Sequence, residues 1–388
     1  MAHSIDLLVL IAFFLIQARV TAILLRGAAR RLTGATLAAA RAGIALFDLL
    51  LLIGYLLSFS ELLSWLRVPS RFGAYLAAFA LAYLLVATVA VVVRAGVNGI
   101  LRRFPAAAEP GRRKLLRAAG NAAIAAPVAV LGYGTFIERF DLHVRELDVP
   151  LAGLAPDLDG VRILQISDIH RGAFLSDREL CKVIDASLGL HPHLAVITGD
   201  LISTWGDPLD SCIRQLARVK ADAGVFGCMG NHERYADASD HAERAAARLG
   251  IRFLRSTAQP LRFGASTLNL AGVDYQPKSE KPHYLEGAER LVQPGACNVL
   301  LSHNPDVFPV AARQGYNLLL AGHTHGGQVQ VEILDASLNP ARFFTPYVYG
   351  VYRTGTAAAY VTRGVGSIGL PTRVGAPPEI VVLRLRKA

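Results

Sequence analysis

The stretch Gly322-His323-Thr324-His325-Gly326-Gly327-Gln328 sets two imidazoles one residue apart inside a glycine-rich turn. It follows the apolar run Tyr316 to Ala321, which reads as a buried strand because it is short, apolar and ends at glycine. A strand that delivers two His side chains into such a turn presents ligands. Four other segments end the same way. Arg162 to Ser167 leads into Asp168 and His170, and Leu194 to Thr198 leads into Gly199-Asp200. Gly224 to Met229 leads into Gly230-Asn231-His232-Glu233, and Asn298 to Ser302 leads into His303-Asn304. In open α/β sheets, sites form beyond the carboxyl ends of strands. Five strand ends therefore converge on Asp, Asn and His, a donor set suited to Zn, Fe or Mn rather than Ca. No thiolate joins them, which argues against a structural zinc knuckle. A single His or Asp at a strand end is more often a satisfied polar cap than a ligand, so the weight lies on the set.

The order and spacing of these blocks (D-x-H, GD, GNH followed by an acid, H, and GHxH) resemble the calcineurin-like metallophosphoesterases. The trailing Gly326-Gly327-Gln328 is similar to the membrane-associated YkuE/YaeI-type branch. So are Tyr360 to Gly366, Pro371 to Arg373 and Pro377 to Ile380, and the resemblance covers most of residues 148–388. It implies two divalent metal ions (Zn, Mn or Fe) about 3.5–4 Å apart, which activate a bridging hydroxide and clamp the phosphoryl oxygens. It places Asp200 as the bridge. Asp168, His170 and His325 join it on the first metal, and Asn231, His303 and His323 on the second. His232 is implied not as a ligand but as the group facing the leaving oxygen, which it protonates or stabilises. Arg171, Arg363 and Arg373 are candidates for touching a substrate phosphate; solvation at the surface is the competing role for each. The chain departs from the pattern at Arg171-Gly172, where relatives often carry a small or apolar residue. No ligand position is substituted.

The 388 residues are 53% hydrophobic, too apolar for an ordinary soluble chain of this length. The excess is localised. Residues 72–93 and 118–137 are free of charge and long enough to cross a bilayer. Two earlier spans are interrupted, residues 7–25 by Gln17 and Arg19 and residues 42–60 by Asp48. Four transmembrane helices are expected, near 5–25, 42–60, 72–93 and 117–137. The net charge of +10 invites a nucleic-acid reading, but its distribution weakens it. Residues 1–150 carry a net +8, whereas 151–388 carry 24 basic and 22 acidic residues. The basic loops follow the first span (Arg26, Arg30, Arg31, Arg41) and the third (Arg94 to Arg117), whereas the loop after the second holds Arg67 and Arg71. By the positive-inside rule the richer loops are cytoplasmic and the later domain lies outside. Arg112-Arg113 before an apolar run also resembles a twin-arginine export signal, the alternative being a plain anchor for the fourth helix. No A-x-A-like cleavage site is seen, so that helix is expected to stay attached. Asp48 and Arg19 are functional candidates because burying them in lipid is costly; the plainer readings are an interior-facing Asp and a snorkelling Arg.

The expected organisation is a membrane module over 1–140, a charged extended linker over 141–150 and a catalytic domain over 151–388. Strands alternate with helices, Ser176 and Glu179 forming a capping box at the start of one. That mix suggests two packed sheets with helices outside, the α/β four-layer αββα sandwich of the resembled family. Cys228 reads as a buried thiol, and Cys181 with Cys212 as a disulfide that sequence leaves open. The function expected is a membrane-anchored binuclear metallophosphoesterase, a phosphodiesterase acting on a phosphate-ester substrate, in the cell membrane with its catalytic domain extracytoplasmic. One alternative is a hydrolase of lipid-linked pyrophosphates, such as a nucleotide-activated acylated sugar. Another is a non-catalytic metal-binding membrane sensor or scaffold.

Overall fold

In the computed structural model the described residues are 2–57, 70–103, 110–333 and 336–388. Residues 58–60 of the expected second span, Arg67, and the side chains of Arg112 and Arg113 lie outside them. The described residues fall into two compact units, one from 2–57 and 72–133, the other mainly from 134–388.

The first unit is made of long apolar helices: α1 (Ala2–Ala29), α2 (Gly34–Leu56), α3 (Ser70–Arg103) and most of α4 (Pro110–Phe136). All four contain stretches long and apolar enough to cross a membrane. The second begins at Gly34, ahead of the expected residue 42, because Leu37, Ala38, Ala39, Ala40 and Arg41 are strong helix formers that extend it before the strongly apolar run. Phe13, Leu51, Tyr55 and Ala80 form its buried cluster, with the Phe13 and Tyr55 rings stacked at 4.8 Å. Gly54 permits this closeness, since a Cβ there would sit 2.5 Å from the Leu76 carbonyl oxygen. Asp48 faces inward: its carboxylate accepts hydrogen bonds from Gln17 Nε2 at 2.6 Å and Thr21 Oγ at 2.9 Å.

The second unit is built on two six-stranded sheets. The first runs β1 (His143–Leu151), β14 (Glu379–Lys387), β2 (Arg162–Ile166), β3 (Leu194–Thr198), β4 (Val225–Cys228), β5 (Ile251–Phe253). The second runs β12 (Gly350–Thr354), β13 (Ala357–Val361), β9 (Leu318–Ala321), β8 (Cys297–Leu301), β7 (Ser266–Gly272), β6 (Thr257–Phe263). A short hairpin, β10 (Val331–Ile333) with β11 (Ala336–Leu338), stands apart. Neighbours along a strand belong to different cores because side chains alternate across a sheet. Ile163 joins the core between the sheets with Val196, Leu270, Leu301, Leu320 and Leu383. Leu164 instead packs under the helices α5 (Asp177–Leu188), α6 (Leu209–Leu216) and α8 (Ser239–Ala247), beside Ile184, Ile213 and Ala246. On the far side, Leu300, Leu319 and Ala359 pack beneath α9 (Phe308–Gln314) through Phe308 and Ala311. The result is the αββα sandwich. The capping box of α5 is formed: Glu179 N–H donates to Ser176 Oγ, and Ser176 N–H to Glu179 Oε2.

One expectation is corrected. Residues 141–150 are not a linker: His143–Leu151 pairs along its whole length, in parallel, with β14. Its charges suit an edge strand, and Asp148 pairs across to Arg384 and Arg386. The Cys181–Cys212 pairing that the sequence left open is not formed: all four cysteines are free thiols, Cys212 and Cys228 buried.

Candidate metal centre

β2, β3 and β4 are mutually parallel, as are β7, β8 and β9, so their carboxyl ends fall together within each sheet. Backbone hydrogen bonds tie the ends to one another. Asp168 N–H donates to the Gly199 carbonyl at 3.1 Å and His170 N–H to that of Asp200 at 3.0 Å, while Gly322 N–H reaches the His303 carbonyl at 3.3 Å. Asp168, His170, Asp200, His323 and His325 all adopt positive φ, between 48° and 76°. A non-glycine residue pays a conformational penalty there, and such strain collects at functional sites. Glycines let the ends approach: a Cβ on Gly322 would lie 2.2 Å from Asp168 Oδ2, and one on Gly230 2.1 Å from Asp200 Oδ1.

The side chains gather as three overlapping sets: Asp168 with His170 and His325, His170 with Asp200 and His232, and Asp200 with His303 and His323. His170 Nε2 and His325 Nε2 are 3.0 Å apart, and His325 Nε2 is 3.4 Å from Asp168 Oδ1. Asp200 Oδ2 lies 2.9 Å from His303 Nε2 and 3.5 Å from His170 Nε2. His303 and His323 rings are 5.0 Å apart. Asn231 opens the short helix α7 (Asn231–Tyr235) and is buried. His303 Nδ1 is 2.7 Å from the Thr198 carbonyl, and His232 Nδ1 is 2.5 Å from that of Ser203. A carbonyl only accepts, so each Nδ1 carries the proton and each Nε2 keeps its lone pair when neutral.

Burial pushes His170 and His323 down to about 3 and holds His325 well below its ordinary value, so all three are neutral at pH 7. Burial raises Asp168 to about 6, with Asp200 adding to it and His303 opposing. For Asp200, burial acts upward, but the imidazoles of His303, His232 and His170 outweigh it and hold the carboxyl well below the usual range. His303 goes the other way to about 10: burial opposes its charge, and Asp200 beside it prevails.

These residues fit divalent metal. Among the described residues, Asp168 Oδ2 and Asn231 Oδ1 are buried with no hydrogen-bond partner, an arrangement a cation resolves. The donors are carboxylate, imidazole and amide, the mix that Zn, Fe and Mn accept.

Of the three arginines, Arg171 and Arg373 are buried rather than solvated at the surface. Arg171 is buried, its Nε on Asp177 Oδ1 at 2.8 Å and its Nη1 on the carbonyls of Gly172 and Leu175. Arg373 is fully buried behind His325, donating to the carbonyls of Gly366 and Ala376, each at 3.0 Å, with Nη2 3.3 Å from His325 Nδ1. Turn carbonyls solvate these guanidinium groups in place of water. Arg363 lies over the Tyr349 ring at 3.9 Å.

Sequence reasoning missed two contributors. Glu233 is fully buried and accepts four backbone N–H groups: Asp200 (3.0 Å) and Gly230 (2.9 Å) on Oε2, Leu201 (2.7 Å) and Ile202 (3.3 Å) on Oε1. It fastens the β3 and β4 loops together. Its signal was the acid following Gly230-Asn231-His232. Tyr275 follows the carboxyl end of β7, a sixth strand end, and its ring lies 5.3 Å from His323 and 6.0 Å from His303. Burial raises its hydroxyl, which therefore stays protonated.

The calcineurin-like phosphoesterase family model matches residues 161–327. The uncharacterized metallophosphoesterase YkuE of Bacillus subtilis (strain 168) is 29% identical over 258 residues, 66% of this chain and 89% of that protein. YpbG of the same organism is 30% identical over 239 residues, 58% of this chain and 80% of that one. The "Transmembrane protein with metallophosphoesterase domain" of Bos taurus is 29% identical over 63% of this chain, which spans 57% of that protein. The matched range contains every strand end that supplies the cluster, and the chain belongs to the calcineurin-like metallophosphoesterases.

Proposed function

We propose that the chain is a membrane-anchored, binuclear metal-dependent phosphodiesterase. The observation that carries this reading is the sharing of Asp200 between two overlapping sets, one with His170 and His232 and one with His303 and His323, while His170 in turn joins Asp168 and His325. Two divalent metal ions bound there would polarise the phosphoryl oxygens and supply an activated water. The neutral imidazoles keep the summed ligand charge low, Asp168 and Asp200 being the anionic members. His232 is fixed by the Ser203 carbonyl with Nε2 directed toward His170 and Asp200, 4.7 Å between the His170 and His232 rings. From there it donates a proton to the departing oxygen, or stabilises the charge that grows on it. Glu233 positions two strand-end loops and touches no substrate. The four long apolar helices supply the anchor, and the basic residues flanking the first and third connections between them support, by the positive-inside rule, a catalytic unit outside the cytoplasm.

The test is turnover by the detergent-purified chain on a chromogenic phosphodiester and a monoester, with Mn or Zn added. The reading expects diester hydrolysis that stops on chelation and returns with metal. Full metal occupancy with no turnover on either ester would favour a scaffold instead.

A further inference from the structure

One rim of the candidate centre carries apolar surface that the chemistry above does not use. The Gly326–Gly327 turn is buttressed by Asn339, whose Nδ2 donates to the Gly326 carbonyl at 2.9 Å. Asn339 also caps a short helical turn, Pro340–Phe343, by accepting from Ala341 N–H at 3.0 Å. Beyond it, Thr345 is buried and donates to Asp306 at 2.5 Å. The segment is thus pinned at both ends, yet between the pins Phe343 and Phe344 are 78% and 53% exposed. A rigid turn that holds two adjacent phenyl rings in solvent is presenting them.

The charges around the rings are basic. Arg342 and Lys281 are exposed, and the Lys278 ammonium lies 5.6 Å from the Phe344 ring centroid and donates to the Phe344 carbonyl. The nearby acids are engaged, Glu280 with Arg234 and Asp306 with Thr345. A second patch of the same chemistry borders the same loop. Arg373, which contacts His325, donates its backbone N–H to the Gly134 carbonyl at 3.1 Å, and Val374 N–H reaches the Gln328 carbonyl at 2.9 Å. Just beyond Gly134, Phe136 and Ile137 are exposed, and Arg139 stacks 4.2 Å over the Phe140 ring. These residues end the apolar stretch Lys114–Phe140. Exposed aromatics beside cations suit the headgroup layer of a bilayer, rings at the acyl boundary and cations among phosphates.

We infer that the 339–345 turn docks on an anionic lipid surface, seating Phe343 and Phe344 in the bilayer interface beside the His323–Gln328 loop. The centre then takes its phosphate ester from the headgroup layer rather than from bulk water. This consequence rests on the phosphoesterase reading; the docking itself does not.

Two arms separate them. In the first, the full chain in lipid nanodiscs carries Phe343→Trp or Phe344→Trp, read against the two native tryptophans of the parent. Bromine-labelled acyl chains should quench the added emission, more strongly with phosphatidylglycerol than with phosphatidylcholine alone. Emission quenched by acrylamide but not by bromolipid overturns docking. So does a chain dimer that the double change Phe343→Ser/Phe344→Ser dissociates. In the second arm, that double variant should hydrolyse a lipid-embedded phosphodiester at least about tenfold more slowly, with the rate on a water-soluble diester within about twofold of the parent. Equal loss on both, or loss on neither, contradicts headgroup-layer delivery. A parent chain inactive on the soluble diester sinks the phosphoesterase reading while leaving the quenching result intact.

Discussion

The two sheets of the second unit contribute to one cluster in opposite currencies. The first sheet supplies both carboxylates of the set, Asp168 and Asp200, together with His170, Asn231 and His232. The second supplies imidazole alone, His303, His323 and His325. Their supports differ in the same sense. An anion, Glu233, gathers backbone N–H groups under the first-sheet loops, whereas a cation, Arg373, gathers carbonyls under the His325 loop. The difference teaches that neither sheet holds a complete site. Carboxylates come from one alone, the other offers only imidazoles, and a bound cation pair would join them.

The largest expected effect follows from removing charge. Asp200→Asn should lower diester turnover by about a thousandfold or more, equivalent to about 4 kcal/mol, with metal lost. His303→Asn, its neighbour from the other sheet, should cost less; an equal or larger loss would break the contrast between the sheets. Next comes His232→Asn, which should reduce turnover by about 10²–10⁴ while leaving metal content unchanged, measured on one sample by kinetics and metal analysis. Metal loss in that variant would make His232 a ligand and remove its place at the leaving group.

The supports should show in stability more than in chemistry. Glu233→Gln leaves buried N–H groups short of acceptors and should cost about 3 kcal/mol, a fall in melting temperature of about 10 °C. Arg373→Met should cost less, about 1–3 kcal/mol, because each abandoned carbonyl keeps a second lone pair to satisfy. Reversal of that order would say that the His325 loop, not the β3 and β4 loops, is the weaker half.

The smallest effect concerns acid. Arg171 and then Ser211 hold the Asp177 carboxyl at about 2, below its ordinary value near 4. Its folded-state pKa is depressed, so the stabilisation is present above the unfolded value and is lost as pH falls from about 4 to about 2. With the Asp177 side chain 51% exposed, solvent screening leaves well under about 1 kcal/mol. Asp177→Asn should flatten that part of an acid-unfolding curve and alter nothing near pH 7; an unchanged acid limb would remove the ion pair from the account.

Much of this was legible in the chain because ligand chemistry restricts residue type. Asp168, His170, Asp200, Asn231, His303, His323 and His325 each sit where an apolar run meets glycine or a polar turn, and the structure gathers all of these except Asn231 into overlapping sets that also take in His232. What was not legible involves backbone and context. Positive φ at Asp168 or His325 leaves no mark when the residue is not glycine. Arg373 read as solvated because a guanidinium usually is; only folding surrounds it with carbonyls. Residues 141–150 read as a connector because the charges of the edge strand His143–Leu151 resemble those of a loop. Tyr275 escaped notice because a lone aromatic after a strand has no ligand signature.

The central claim is a cross-sheet metal pair that hydrolyses phosphodiesters. Its most direct test is metal per chain by elemental mass spectrometry, read beside diester turnover on the same preparation during chelation and stepwise return of Mn or Zn. The account predicts two ions per chain, with turnover following the second. One ion at saturation, or two ions with no turnover, would contradict it.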